Sequence, residues 1–331
     1  MRKHWALLFA LLAAIGCGDD DSGRPSGNGA SDEEKKYRIA VIPKGTSHDF
    51  WKSVHYGAAQ AADELGNVEI IWQGTQGEED KEGQIRIVDT FIGNKVDGIC
   101  LAPIDRDAFV PVVRRAKQRG IPTVVYDSGL SDHSDVVSYV ATNNKQGGLM
   151  AGEYLAKVMG GRGGVILLRY QAGSESTEQR EAGFLEAVST NEAISMLSES
   201  QRVDSDSTTA MKISESLLRG NKDVKGIFTV CEPNNKGMLQ ALENERMAGQ
   251  VRFVAFDSDP RIVKGLQEGK IDGVILQNPV RMGYLAVKTL VEYLEGKPIE
   301  QRVETGETLA TPQNMHDPEI HELLHPKQFE G

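Results

Sequence analysis

From Tyr37 onward, short apolar runs alternate with segments of helical spacing. "YRIAVIP", "VEIIW", "VDGICLAP" and "IPTVVYD" are continuous rather than alternating in hydrophobicity, the pattern of strands buried on both faces. Between them, apolar side chains recur every three or four positions. Trp51, Val54, Ala58, Ala61 and Leu65 form one stripe, Ile85, Val88 and Ile92 a second, and a third helix is predicted from Asp107 to Arg119, where Gly120 stops it. Strand, helix, strand repeated in this way predicts a parallel sheet covered by helices on both faces.

The pattern then runs a second time. After "VVSYVAT" and a helix beginning near Asn144, the strands "GVILLR", "GIFTV", "VRFVAFD" and "IDGVILQ" alternate with helices near 178–188, 207–219, 234–243 and 260–267. Two successive sets of such units fit two doubly wound lobes better than one giant sheet. A closing helix from Pro279 to Gly296, apolar at Met282, Leu285, Val287 and Leu290, suits either lobe.

The first residues follow a different rule. Arg2, Lys3 and His4 precede "WALLFALLAAIG", too short to span a bilayer and the right length for a secretory signal, so residues 1–16 are read as a signal peptide. The run ends at Cys17 behind Ala14, Ile15 and Gly16, which resembles the bacterial lipobox and predicts a lipidated cysteine anchored in a membrane. Residues 18–36, acidic and rich in Gly, Ser and Pro, read as a flexible tether between that lipid and the folded part.

A formal charge of -11, from 37 basic and 48 acidic residues, excludes a nucleic-acid partner on electrostatic grounds. Cys100 and Cys231 end separate apolar runs and are expected as two buried thiols rather than a disulfide.

Open parallel sheets gather ligands at the carboxyl ends of their strands. Four polar side chains stand there, directly after apolar strands: Lys44, Asp127, Asp257 and Gln277. One such Asp alone is an ordinary cap or turn residue; four, drawn from both halves, point to a site. "KGTSHDFWKS" adds Phe50 and Trp51, although Trp51 also fits the helix stripe. Carboxylates, an amide, a lysine and an aromatic face suit a neutral, hydroxyl-rich ligand such as a sugar.

"YRIAVIPKGTSHDFWKSVHYGAAQAADELG", "VDGICLAPIDRDAFVPVVRRAKQRGIPTVVYDS", "YVATNNKQGGLMAGEYLA", "EQREAGFLEA" and "VAFDSDPRIVKGLQEGKIDGVILQNP" together resemble the ribose-type periplasmic sugar-binding proteins of bacterial ABC importers. The resemblance spans about residues 37–300. It implies the type I periplasmic binding protein fold, two lobes joined by three crossovers near Thr142 and Asn143, Gln277 and Asn278, and residue 306. The lobes would be 37–142 with 278–306, and 143–277 with 307–331. It further implies hinge closure on a sugar, delivery to a membrane permease, a monomer, and neither cofactor nor metal nor catalysis. Ligand contacts carried over by position are His48, Phe50, Trp51, Asp127, Arg180, Asp257 and Gln277. Ser128 stands where ribose binders have arginine, Cys231 where they have asparagine, and "QRVDSDSTT" supplies no second stacking aromatic. Lys44 with Asp127 and Ser128 is similar instead to the autoinducer-2 and rhamnose branch.

Three other readings compete with this one. A sugar-responsive repressor would need an N-terminal helix-turn-helix where this chain has an export segment. A receptor presenting its ligand to a sensor protein uses the same features. A zinc peptidase is suggested by "HELLH", His321 to His325, but Pro326 follows at once and five residues remain, so a charged helical turn is the expected reading. No nucleophile elbow or P-loop is present, and "GGRGG" at 160–164 reads as a turn before a strand.

Overall fold

The computed structural model describes residues 36–330; the signal segment, Cys17 and most of the tether lie outside the described residues. The first sheet is built from β1 (Tyr37–Ile42), β2 (Val68–Trp72), β3 (Gly98–Leu101), β4 (Thr123–Tyr126), β5 (Ser138–Ala141) and, much later in the chain, β12 (Arg302–Glu304). Its order is β12-β5-β4-β3-β1-β2 and every pairing is parallel. β3 and β4 are buried at every residue, as continuous apolar runs require of strands covered on both faces. Helices α1 (Asp49–Leu65) and α9 (Pro279–Leu294) cover one face, and α2 (Lys81–Gly93) and α3 (Val110–Gln118) the other. The closing helix is thereby assigned to the first lobe.

The second sheet contains β6 (Gly163–Tyr170), β7 (Ile194–Ser198), β9 (Val224–Thr229), β10 (Arg252–Phe256), β11 (Gly273–Leu276) and β13 (Thr308–Ala310), ordered β13-β11-β10-β9-β6-β7; β8 (Arg202–Val203) pairs with the end of β6. One face packs on α4 (Asn144–Val158) and α5 (Glu175–Ser189). The other packs on α6 (Ser207–Gly220), α7 (Glu232–Asn244), α8 (Pro260–Gln267) and the short α10 (Pro318–Leu324). β13 departs from the expected all-parallel pattern, running antiparallel to β11 at the sheet edge. The third helix also starts later than predicted. Asp105 Oδ1 accepts from the N–H groups of both Asp107 and Ala108 at 2.9 Å, holding that stretch as a turn before the helix.

The chain passes between the sheets three times, at Thr142–Asn143, at Gln277–Asn278 and at Gly306, so the two doubly wound lobes share a three-strand hinge. Two crossings run side by side: Thr142 Oγ1 and Thr305 Oγ1 are 3.3 Å apart, and Asn143 N–H donates to Glu307 Oε2 at 3.3 Å. Cys100 and Cys231 are both buried free thiols, one in each lobe.

Candidate functional site

The carboxyl ends of the two sheets face each other across a cleft, and matching backbone geometry places a carboxylate on each side. Asp127, following β4, has φ 61° and Asp257, following β10, has φ 77°. Each donates its N–H to the neighbouring strand, Asp127 to Val140 O at 3.0 Å and Asp257 to Ile275 O at 2.9 Å. Left-handed backbone is costly for a residue other than glycine and is concentrated where a site demands it. Here it turns both side chains off the strand ends and into the cleft.

Between them lies a narrow cavity of about 30 Å³, room for about two water molecules and well below the roughly 300–1,000 Å³ of small-molecule sites, so a ligand of ordinary size requires the lobes to part. It brings together nine of the ten residues singled out from sequence: Lys44, His48, Phe50, Trp51, Asp127, Arg180, Cys231, Asp257 and Gln277. Ser128 lies outside the lining. Its hydroxyl is fully buried and accepts from Ser176 N–H at 3.0 Å, so it joins the lobes rather than facing the cavity. Sequence reasoning missed Glu78, Tyr170, Ser176, Thr177, Glu232 and Pro233, which complete the wall.

Charges in this wall come in pairs. Lys44 Nζ lies 2.8 Å from Asp127 Oδ2, a charge contact, and donates across the cleft to Ser174 Oγ at 3.3 Å and Ser176 Oγ at 3.0 Å. Arg180 donates to Asn144 Oδ1 and Val230 O, both at 2.9 Å, spreads over the Phe256 ring at 3.9 Å, and faces Asp257 Oδ2 at 3.5 Å. Burial pushes the Asp257 carboxyl up to about 6, against the Arg180 charge and the Gln277 amide that donates to it at 2.7 Å. Glu232, on α7, accepts from Lys236 at 2.6 Å and, across the cleft, from Phe50 N–H at 3.2 Å in the first turn of α1.

The fourth pair is His48 with Glu78. Glu78 Oε1 meets His48 Nδ1 at 2.9 Å and accepts from Trp51 Nε1 at 2.7 Å, while Oε2 accepts from the Tyr170 hydroxyl of the opposite lobe at 3.0 Å. Burial alone would lower His48, but the Glu78 hydrogen bond and charge carry it up to about 9. Burial alone would raise Glu78, and His48, Lys44 and Trp51 hold it down to about 2. His48 is therefore charged at neutral pH, and each cation in the wall has a carboxylate.

That pair predicts a pH dependence. The raised His48 gives stability fully present below 6.5 and lost as pH rises through about 9; the depressed Glu78 gives stability present above 4.5 and lost as pH falls toward about 2. Both contributions are complete between pH 4.5 and 6.5. Subtracting the unfolding free energy of a His48→Gln chain from that of the wild type at each pH should give a difference that shrinks above 6.5. A pH-independent difference would contradict the pairing.

The two histidines of "HELLH" sit outside this site. His321 and His325 are exposed at the end of α10 with ring centroids 4.5 Å apart, and among the described residues no group of three or more His, Cys, Asp or Glu side chains is arranged to hold a metal.

Residues 39–298 match the periplasmic binding protein domain family. The chain is 30% identical over 267 residues to the ribose import binding protein of Salmonella typhimurium, covering 81% of this chain and 88% of that one. Its fold is similar to a carbohydrate transporter solute-binding protein from Agrobacterium radiobacter in complex with D-arabinose, with TM-score 0.84, 32% identity and coverage of 87% and 99%. It is also similar to an ABC transporter solute-binding protein from Agrobacterium vitis bound with α-D-tagatopyranose, with TM-score 0.83, 30% identity and coverage of 89% and 100%.

Proposed function

We propose that this chain, which belongs to the periplasmic binding protein family of bacterial sugar importers and is not an enzyme, captures one small neutral sugar between its lobes by hinge closure. In this reading residues 37–142 with 278–306 move against 143–277 with 307–331, and the closed form delivers the sugar to a membrane permease. The exported chain is a monomer tethered through lipid on Cys17.

The observation that carries the ligand class is the charge balance of the wall. Lys44 with Asp127, Arg180 with Asp257 and His48 with Glu78 pair within the wall, and Lys236, outside the lining, pairs with Glu232, so no surplus charge is left for an ionic ligand. The carboxylates can still accept from adjacent hydroxyls, and Phe50 and Trp51 offer apolar rings to C–H faces. The wall also reads as selective, because a hydroxyl missing from the ligand leaves a buried polar group unpaired at roughly 1–3 kcal/mol. Tyr170, on the lobe opposite Phe50, supplies the second aromatic that "QRVDSDSTT" lacks.

A thermal-shift panel of pentoses, hexoses, deoxysugars and polyols, with sugar acids and amino sugars alongside, tests this. A neutral sugar at about 100 times its dissociation constant should add roughly 2.7 kcal/mol, and the charged analogues should add nothing. A preference for a sugar acid would sink the neutral-ligand reading.

A further inference from the structure

The end of the chain leaves the lobe that holds α10 and finishes on the other one. α10 is seated in the second lobe, where Ile320 and Leu324 join the core under the second sheet and Leu323 O accepts from Ser258 Oγ at 3.3 Å. Beyond His325 the chain runs back to α1 of the first lobe. Phe329 N–H donates to Lys52 O at 3.1 Å, and its ring stacks on His55 with centroids 3.8 Å apart at 24°. His55 lies in turn on Trp72 at 4.3 Å and 6°, and Lys327 Nζ sits 5.9 Å over the Tyr56 ring. Burial lowers the His55 imidazole to about 4, so the stack is uncharged at neutral pH.

This is a connection between the lobes separate from the three crossovers. It runs along the flank of the ligand cavity: Phe50, Asp257 and Gln277 line that cavity and also a chamber of about 200 Å³ whose other wall is the tail from Leu323 to Gln328. Phe329 is 38% exposed, too open to contribute much as core. What its position does is join two bodies that rotate relative to one another when the hinge opens.

We propose that Phe329 is a positioning residue for closure: seated against His55, it straps the second lobe to α1 and favours the closed arrangement, lengthening the stay of a captured ligand. The proposal rests on the hinge motion inferred above. Opening carries α10 away from α1, so it must break the ring stack or draw out the short tail. A stacked aromatic pair biases such an equilibrium by roughly two- to tenfold.

Amide hydrogen exchange on the full chain, with no sugar added, reads closure directly. The reporter is Ser176 N–H, which donates across the cleft to Ser128 Oγ and does not line the chamber walled by the tail. In Phe329→Ala and in a chain ending at His325, the peptide carrying Ser176 should exchange roughly two- to tenfold faster, Phe329→Tyr should restore the wild-type rate, and amides in β4 should be unchanged. Faster exchange confined to α1 and the tail, with Ser176 unaltered, would overturn the strap. Because this readout needs no ligand, it stands even if the sugar panel is flat. With a sugar bound, the same variants should release it faster by that factor at an unchanged association rate, and equal release rates would also overturn the proposal.

Discussion

Arg180→Ala should abolish sugar binding and cost the fold about 3–5 kcal/mol, the penalty for leaving one member of a buried charge pair without its partner. The guanidinium is 2% exposed and is held on every side: Asn144 and Val230 accept its N–H groups, Phe256 lies beneath it, and Asp257 faces it. Asn144 also donates to Asp127 O at 3.4 Å, so the arginine ties the carboxylate corner of one lobe to that of the other. Without it, the buried Asp257 carboxyl rises further above its present value of about 6. A raised carboxyl favours folding most below its unfolded value of 3.8 and loses that contribution as pH climbs through the folded value, so the penalty should be smallest in acid and largest at neutral pH. Denaturant unfolding at pH 5 and pH 7, with calorimetric titration at pH 7, measures both effects. Wild-type affinity in the variant would remove Arg180 from the site.

Gly283→Leu should force apart the two helices that cover one face of the first lobe. A Cβ at Gly283 would lie 2.0 Å from Val54 O, and one at Gly57 would lie 1.9 Å from Val280 O, so α1 and α9 cross backbone to backbone through a reciprocal pair of glycines. Neither neighbour is a side chain that can swing aside. The helices must separate, at about 3 kcal/mol or more by the cost of overpacking. Because α1 carries Phe50 and Trp51 at its first turn, the damage reaches the cavity: ligand affinity should fall together with the unfolding midpoint. An unchanged midpoint would show that the crossing adapts, contrary to this close packing.

Much of the fold was legible because buried parallel strands advertise themselves. β3, β4, β10 and β11 are short unbroken apolar runs, and each is followed by the polar residue or turn that ends it. The elements that escaped are edge strands. β12 is exposed at both its ends, β7 is only partly buried, and β8 has two residues, so none needs a continuous apolar run. The same contrast governs the site. Asp127, Asp257 and Gln277 were found because a polar group after an apolar strand is conspicuous. Tyr170 ends β6 one residue past Arg169, where the predicted strand "GVILLR" stops, so a polar residue had already closed the run before it. Glu78 carried no such signal. It sits in the acidic stretch "GEEDKEG", which reads as a solvated loop, and its partner Tyr170 is 92 positions away in the other lobe. "HELLH" lies on α10 with both histidines exposed, the charged helical turn expected of it, while the residues after it cross to α1, which nothing in the sequence signals.

The central claim is that one neutral sugar occupies the cavity between Asp127 and Asp257. Calorimetric titration of the strongest ligand from the panel into the wild type and into Asp127→Asn tests it most directly. Asparagine tolerates the left-handed backbone at this position while removing the charge that faces Lys44. One sugar per chain is expected for the wild type; the variant should be less stable, because the buried Lys44 loses its counter-charge, and should bind roughly tenfold to a hundredfold more weakly while still folded, the loss of one charge-assisted hydrogen bond. Equal affinity in the two chains, or a stoichiometry other than one, would contradict it.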